Sequence, residues 1–455
     1  MGTKPQKPSL VTIVHTERSD LRTLIRAELK NVGIQEIQAP GSSDDCVSEL
    51  VRFQSAPLIL DWEIGAAEVV KILGAARGHF KIDTRPIFII AAKVDQSILT
   101  TAWEYGVSHV HTGEISRSGI KEALRRLLEQ DSEKEKEIKS ALVKVAEARR
   151  RDDWAVATPL LLEMVERYPS HDQLKIELAE NLINEDLWRD AEVLLAPLAL
   201  SVPPNLRAAH LLARCMAHAG KMQEATELLK KASLINPYNV ERLVDLGNIL
   251  LDQNRVPEAR EVFEEAQELA PGNADAVVGS SKCLLLEGEI NDALGLLKDI
   301  SGPRELAAVF NTTAILAIRH GTFDKGMNLY DAAVKAVGRN TKLQSRLWFN
   351  KGVGYRRWRK IEKALECFNT SLALDGEFEK AKRQRDLVMG AGGATERPSR
   401  IGRSQPSVDV SGGDELSEME ISPLSRKKAV TPKKVVGGDE QDVNFEEEDW
   451  VDEDF

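Results

Sequence analysis

Only four cysteines occur in 455 residues, Cys46, Cys215, Cys283 and Cys367, widely scattered and without a CxxC pair. That spacing excludes a disulfide framework and a thiolate metal site, and it predicts free, mostly buried thiols in a reducing compartment. No apolar run approaches the roughly 18 residues of a membrane-spanning helix, so no membrane segment is expected. The opening MGTKPQKPSL lacks the apolar core of a secretory signal. Gln6 stands where a myristoylation site needs serine or threonine. A cytoplasmic protein is therefore expected. Phosphate loops of the GxGxxG or P-loop type are missing, as are His/Cys metal clusters and a nucleophile elbow. His109 and His111 lie on a strand pattern, where histidine is more often structural. These absences leave an enzyme with little support and predict no cofactor. The net charge of −11 argues against general nucleic-acid binding.

What the chain has is a period. Ala157, Ala191, Ala225, Ala259 and Ala293 are each 34 residues apart, and Pro169, Pro203, Pro237 and Pro271 keep the same step. A strict period of this size means stacked helical units that bury a continuous core only together. Positions three and four apart share a helical face, so Ala259, Phe263 and Ala266 line one seam, a bulky knob between two small sites. Proline fits the turn that follows because it lacks the donor a continuing helix needs. Asn236-Pro237-Tyr238-Asn239 reads as a turn with a helix N-cap at Asn239, and Gly220 and Gly288 fall where the turn inside a unit belongs.

The fourth unit reads Leu243, Leu246, Gly247, Leu250, Ala259, Phe263, Ala266, Pro271, and the last reads Trp348, Gly352, Tyr355, Ala364, Phe368, with Ser371 at the third small site. This pattern resembles the tetratricopeptide repeat family. The resemblance implies about seven helix-turn-helix units over residues 138–389, starting near Ile138, Asp172, Leu206, Val240, Ala274, Ala307 and Ser345, with a polar capping helix at Glu377–Val388. The sixth unit carries Gly326 in place of the alanine, and the seventh follows 38 residues later, which predicts a longer loop around Val337–Lys342. The family commonly binds peptides along the first helices of its units. On that basis His210, Arg214, Asn248, Lys282, Asn311, Asn350 and Arg356 are the candidate groove lining. Asparagine bonds both peptide backbone groups and the cations pair with carboxylates. The alternative for each is a solvated polar side chain on an exposed face.

Residues 1–130 lack the period. Apolar runs at Leu10–Val14, Glu36–Ala39, Leu58–Asp61, Ile87–Ala91 and Ser108–His111 alternate with amphipathic stretches at Asp20–Asn31, Asp44–Phe53, Ala66–Ala76, Gln96–Tyr105 and Gly119–Gln130. Five strands alternating with five helices predict an α/β doubly wound domain. PLILDW, with Asp61 at the end of the third run, and RPIFIIAA resemble the response-regulator receiver domain. The resemblance makes Asp61 the candidate phosphoacceptor. The acidic pair that would hold Mg²⁺ falls on His15 and Thr16, with Glu17 beside them, while Ala91, Gly113 and Glu114 replace the hydroxyl residue, lysine and proline of the family. Phosphoryl transfer needs charge neutralisation by metal and cation. The expectation is a degenerate receiver-like module. The alternative is residual phosphorylation of Asp61 with Mg²⁺, aided by Glu17. Residues 131–137 read as a charged helical linker.

From residue 390 to 455 the composition turns to Gly, Ser, Pro and charge, which predicts a disordered tail. Its end is strongly acidic, with Phe445, Trp450 and Phe455 spaced through it as a candidate docking motif. Unit seven and the cap are basic, so the tail is a candidate intramolecular partner for the C-terminal repeats. The expected fold is thus a receiver-like domain, an all-α solenoid and an acidic tail. The expected function is a non-catalytic bacterial signalling adaptor binding protein or peptide partners. The alternative is a response regulator controlled at Asp61 with the repeats as output. Nucleic-acid binding by the basic repeats is argued against by the acidic tail.

Overall fold

The computed structural model describes residues 11–392, apart from 54–55, 78–84, 94–95, 114, 129–132, 152 and 299–301. The tail and its Phe445, Trp450 and Phe455 lie outside the described residues, as does Glu114. The chain divides into two compact bodies, residues 1–302 and 303–455.

The first body opens with the alternating elements that the apolar runs predict. The strands are β1 (Thr12–His15), β2 (Ile37–Gln38), β3 (Leu58–Asp61), β4 (Ile87–Ala91) and β5 (His109–Thr112). The helices between them are α1 (Ser19–Asn31), α2 (Ser43–Arg52), α3 (Ala66–Arg77), α4 (Gln96–Glu104) and α5 (Arg117–Leu128). All pairings are parallel and the strand order is β2-β1-β3-β4-β5. Parallel sheets bury both faces, and alternate residues divide accordingly. Ile13, Leu58, Leu60, Ile87 and Ile89 pack with α2, α3 and α4. Val14, Ile59, Phe88 and Ile90 pack with α1 and α5.

Five helix pairs complete this body: α6 (Glu133–Arg150) with α7 (Trp154–Arg167), α8 (Asp172–Asn184) with α9 (Trp188–Ala199), α10 (Leu206–His218) with α11 (Met222–Ile235), α12 (Val240–Asp252) with α13 (Val256–Leu269), and α14 (Ala274–Glu287) with α15 (Ile290–Leu297). From α8 to α14 each first helix starts on the residue the period predicts. From Glu133 onward the stretch expected as a charged helical linker is helical and runs directly into α6. All five alanines of the 34-residue series are fully buried. Asn205, Asn239 and Asn273 repeat at the same step, and each side chain caps a first helix by accepting from the backbone N–H three residues on, at 2.9–3.0 Å. Gly220 and Gly288 close the first helices with φ of 77° and 93°, a region that favours glycine.

The knob-and-small-site seam is explicit at Phe263. A Cβ on Gly247 would lie 2.5 Å from its ring, and one on Gly279, in the next pair, would collide with it as well. The ring therefore occupies the space that two missing side chains leave on successive first helices.

The second body contains α16 (Pro303–Arg319), α17 (Phe323–Ala336), α18 (Thr341–Arg357), α19 (Ile361–Leu374) and α20 (Glu379–Gly392). Gly326 replaces the periodic alanine because a Cβ there would meet Ile318 at 2.6 Å and the Ala314 carbonyl at 3.0 Å. The longer loop expected around Val337–Lys342 is absent. Residues 337–340 connect α17 to α18 with the same length as 236–239 between α11 and α12. The added residues lengthen α18 to 17 against 13 in α12, so it begins four residues before the predicted Ser345. One added turn keeps the buried face in place, and Asn340 caps the new start by accepting from Leu343 N at 3.2 Å.

All four cysteines are free and buried, and burial pushes the thiols of Cys46, Cys283 and Cys367 up to about 12 and that of Cys215 up to about 11. They are packing residues rather than nucleophiles. Two glycine substitutions should separate packing from helix propensity. Gly247→Ala is expected to lower stability by about 1–3 kcal/mol through overpacking against Phe263. Gly295→Ala in α15, where a Cβ meets nothing within 4 Å, should be neutral or stabilising by up to about 1 kcal/mol. Urea unfolding of the two variants checks the contrast.

Candidate partner-binding surfaces

In the first body the α/β domain is seated on the repeats through the C-terminal end of α4. Arg77 fixes that end from below: its Nε donates to the Tyr105 carbonyl at 2.5 Å and its Nη2 to the Gly106 carbonyl. Gly106, at φ 60°, terminates α4, and Val107 N bonds back to Ala102 O at 2.8 Å. Glu104 is thereby held facing the start of α12. Arg242 Nη1 donates to Glu104 Oε1 at 2.8 Å, Asn236 Nδ2 to Oε2 at 2.6 Å, and Asn239 Nδ2 to Oε1. Thr101 Oγ1 donates to Asn236 Oδ1 at 3.2 Å, and Arg242 Nη2 to the Asn236 carbonyl at 2.6 Å. The Arg242 side chain is fully buried and that of Glu104 is 4% exposed. Burial pushes the neighbouring Tyr105 phenol above its ordinary range. A cavity of about 280 Å³ adjoins the contact, lined among others by Trp103, Tyr105, Lys139, His171, Arg207 and His210.

The groove candidates from the sequence have different fates. His210 is buried, its Nε2 2.7 Å from Asp245 Oδ2, and Arg214 lies 3.9 Å from the same carboxylate. Asp245 is thus the acceptor that ties α12 to α10. Asn248 and Lys282 are half-buried, and burial lowers the ammonium pKa of Lys282. In the second body Asn311 and Asn350 are corrected from groove lining to core. Both are fully buried, Asn350 Nδ2 donates to Asn311 Oδ1 at 2.7 Å, and the Tyr330 hydroxyl donates to the same oxygen at 3.1 Å. Buried amides must satisfy each other, so these groups face neighbouring helices rather than a ligand. Arg356 donates to Gln384 of α20.

Asp61 has an environment that the sequence reading did not foresee. Its carboxylate is buried and accepts from Thr16 Oγ1 at 2.6 Å, Arg18 Nε at 2.8 Å, Arg18 Nη2 at 2.7 Å and Glu63 N at 3.1 Å. The Arg18 bonds form a bidentate fork, the strongest neutralisation a side chain gives a carboxylate. His15 points to the Pro40 carbonyl, 3.3 Å from Nδ1, and Glu17 is exposed. Gly113, at φ 99°, follows β5. Arg18 sits three residues beyond β1, and only its partner across the sheet identifies it.

The second body carries an aromatic and cationic cluster. Trp358 stacks on Phe323 at 5.3 Å and Tyr355 at 6.1 Å. Lys351 lies over Trp348 at 4.8 Å and Lys363 over Tyr355 at 5.5 Å. An ammonium group is attracted to the ring face it covers; the buried Lys351 is also paired with Asp331, while the exposed Lys363 presents positive charge beside apolar area.

Residues 216–268 and 257–308 match a tetratricopeptide repeat model, and residues 345–378 match a second one. The chain contains tetratricopeptide repeats; the matches do not extend to the α/β domain. Similar solved structures include a tetratricopeptide repeat protein from Parabacteroides merdae, 16% identical over 56% of this chain and 99% of that one, with a TM-score of 0.39. YrrB, described as a TPR protein with an unusual peptide-binding site, is 17% identical over 50% of this chain and 98% of that one, with a TM-score of 0.27. The Cut9–Hcn1 assembly is 16% identical over 60% of this chain and 54% of that one, with a TM-score of 0.34. No curated protein matches the chain. Among the described residues no helix is long and apolar enough to cross a membrane.

The Asp61 network predicts a structural penalty. Asp61→Asn keeps the shape but leaves the Arg18 fork without its charge, and it should cost about 1–3 kcal/mol. Amide exchange in β1 and β3 is expected to rise, and unchanged protection would refute the role.

Proposed function

We propose that the chain is a non-catalytic signalling adaptor that binds partner proteins through its repeats, with the α/β domain as a docking or regulatory module. The observation that carries this reading is the tetratricopeptide repeats at 216–308 and 345–378, since stacked repeats offer extended surfaces and no chemistry of their own. In the first body Arg214, Asn248 and Lys282 remain groove candidates. In the second, the aromatic–lysine cluster suits an acidic segment containing aromatic rings. The chain's own residues 439–455 have that composition, and we read them as an intramolecular competitor for this surface. Affinity capture with the full chain tests both points. Asn248→Ala combined with Lys282→Ala should reduce partner recovery several-fold, while removal of residues 439–455 should increase it. Recovery unaffected by either change would count against the adaptor.

We read the α/β domain, a parallel sheet of order β2-β1-β3-β4-β5, as a receiver-like module without the phosphoryl switch. The arrangement at Asp61 supports this: Arg18 fills the place beside the carboxylate where a phosphorylated domain would need a divalent cation and an open oxygen. Incubation with Mg²⁺ and a small phosphodonor is expected to leave the protein unlabelled. Incorporation that Asp61→Asn abolishes would restore the reading of a phosphorylation-controlled regulator.

A further inference from the structure

The contact between the α/β domain and the repeats has the form of a receptor with its ligand in place. Two amide donors, Asn236 Nδ2 and Asn239 Nδ2, and the Arg242 guanidinium converge on one carboxylate at the N-terminus of α12. A helix N-terminus favours negative charge, and an arginine fork favours a carboxylate in one orientation. Arg242 is fully buried, yet its Nε has no hydrogen-bond partner among the described residues, so the site holds one donor more than Glu104 uses. The receptor belongs wholly to the repeats. The ligand belongs wholly to the α/β domain, where Glu104 stands between Trp103, 63% exposed, and Tyr105.

We propose that Asn236, Asn239 and Arg242 form a receptor for a carboxylate side chain of a partner protein, presented beside aromatic rings, and that Glu104 is the chain's built-in competitor for it. The proposal rests on the adaptor reading and names the chemistry of one partner. Docking Glu104 desolvates two charges, and releasing it rehydrates both, so a buried pair of this kind contributes strict geometry and little net strength. A second carboxylate of the same geometry can therefore take its place. The buried Arg149–Glu177 pair, 3.0 Å apart, differs in that α6 and α8 are packed neighbours of one array and cannot separate without unfolding it. When a partner enters, the α/β domain leaves the repeats, and its α4 surface is freed in the same step.

The test uses the full chain and a fluorescently labelled peptide with the sequence of residues 97–107, together with a counterpart carrying Gln at the Glu104 place. Glu104→Gln in the full chain should free the receptor and raise peptide affinity about tenfold over wild type. Adding Arg242→Ala should abolish binding, and the Gln peptide should bind neither protein. Amide exchange over residues 236–242 should rise in Glu104→Gln and fall again with peptide. Arg242→Lys keeps the charge without the planar fork, and it should weaken the peptide while the melting temperature stays close to that of Glu104→Gln. Equal affinity of wild type and Glu104→Gln for the peptide, or binding that survives both Arg242 substitutions, overturns the proposal. A failed capture experiment with intact peptide binding would count against the adaptor and leave the receptor standing.

Discussion

The helical part of this protein depends on how closely two helices can approach. Each of the five periodic alanines is fully buried, and at Phe263 even alanine is too large for the two facing positions, which are Gly247 and Gly279. A single pair of this kind buries too little to stand alone, so every interface supports the next. The constraint also governs how the pattern can change. Adding one full turn to α18 leaves the same face turned inward, whereas adding one or two residues would rotate it away.

In the first body charge is buried against the first helices of the pairs. Glu177 lies between Arg149 and Arg207, at 3.0 and 2.7 Å, and Glu104 meets Arg242 at 2.8 Å. Apolar contacts would stabilise the array at least as well, since desolvation offsets most of what a buried pair gains. What these pairs add is discrimination. Each arginine admits a carboxylate at one angle and distance, and so sets which helix, and which domain, lies against which.

Elements with a period were legible in the sequence. The short apolar runs Leu10–Val14 and Leu58–Asp61 marked strands, and the 34-residue step placed α8 through α14. The Asn239 cap was read from its turn, and the caps at Asn205 and Asn273 follow the same step and could have been found with it. Pairings between distant segments were not legible. Asn311 and Asn350 occupy polar places on first helices, and nothing local distinguishes a groove amide from a buried one that has found its partner. Arg18 lies in a loop, and its meaning resides in Asp61, 43 residues away. Glu104 and Arg242 did leave a trace. The acid ends α4 and the base lies in the first turn of α12, each at the end of its own helix where the macrodipole disfavours it. Two such misplaced charges call for an opposite partner elsewhere.

The fork at Asp61 balances a buried carboxylate with a cation that is covalently attached. A bound metal ion leaves at a rate set by its affinity and its supply, so any carboxylate that depends on one reports on the surrounding solution. A guanidinium on the same chain has no free concentration to fall. The charge at this end of the sheet is therefore balanced from the moment the domain folds and stays so in chelator, in low magnesium and in changing salt, which makes the α/β domain a part of constant shape on which a movable contact such as that at Glu104 can be built.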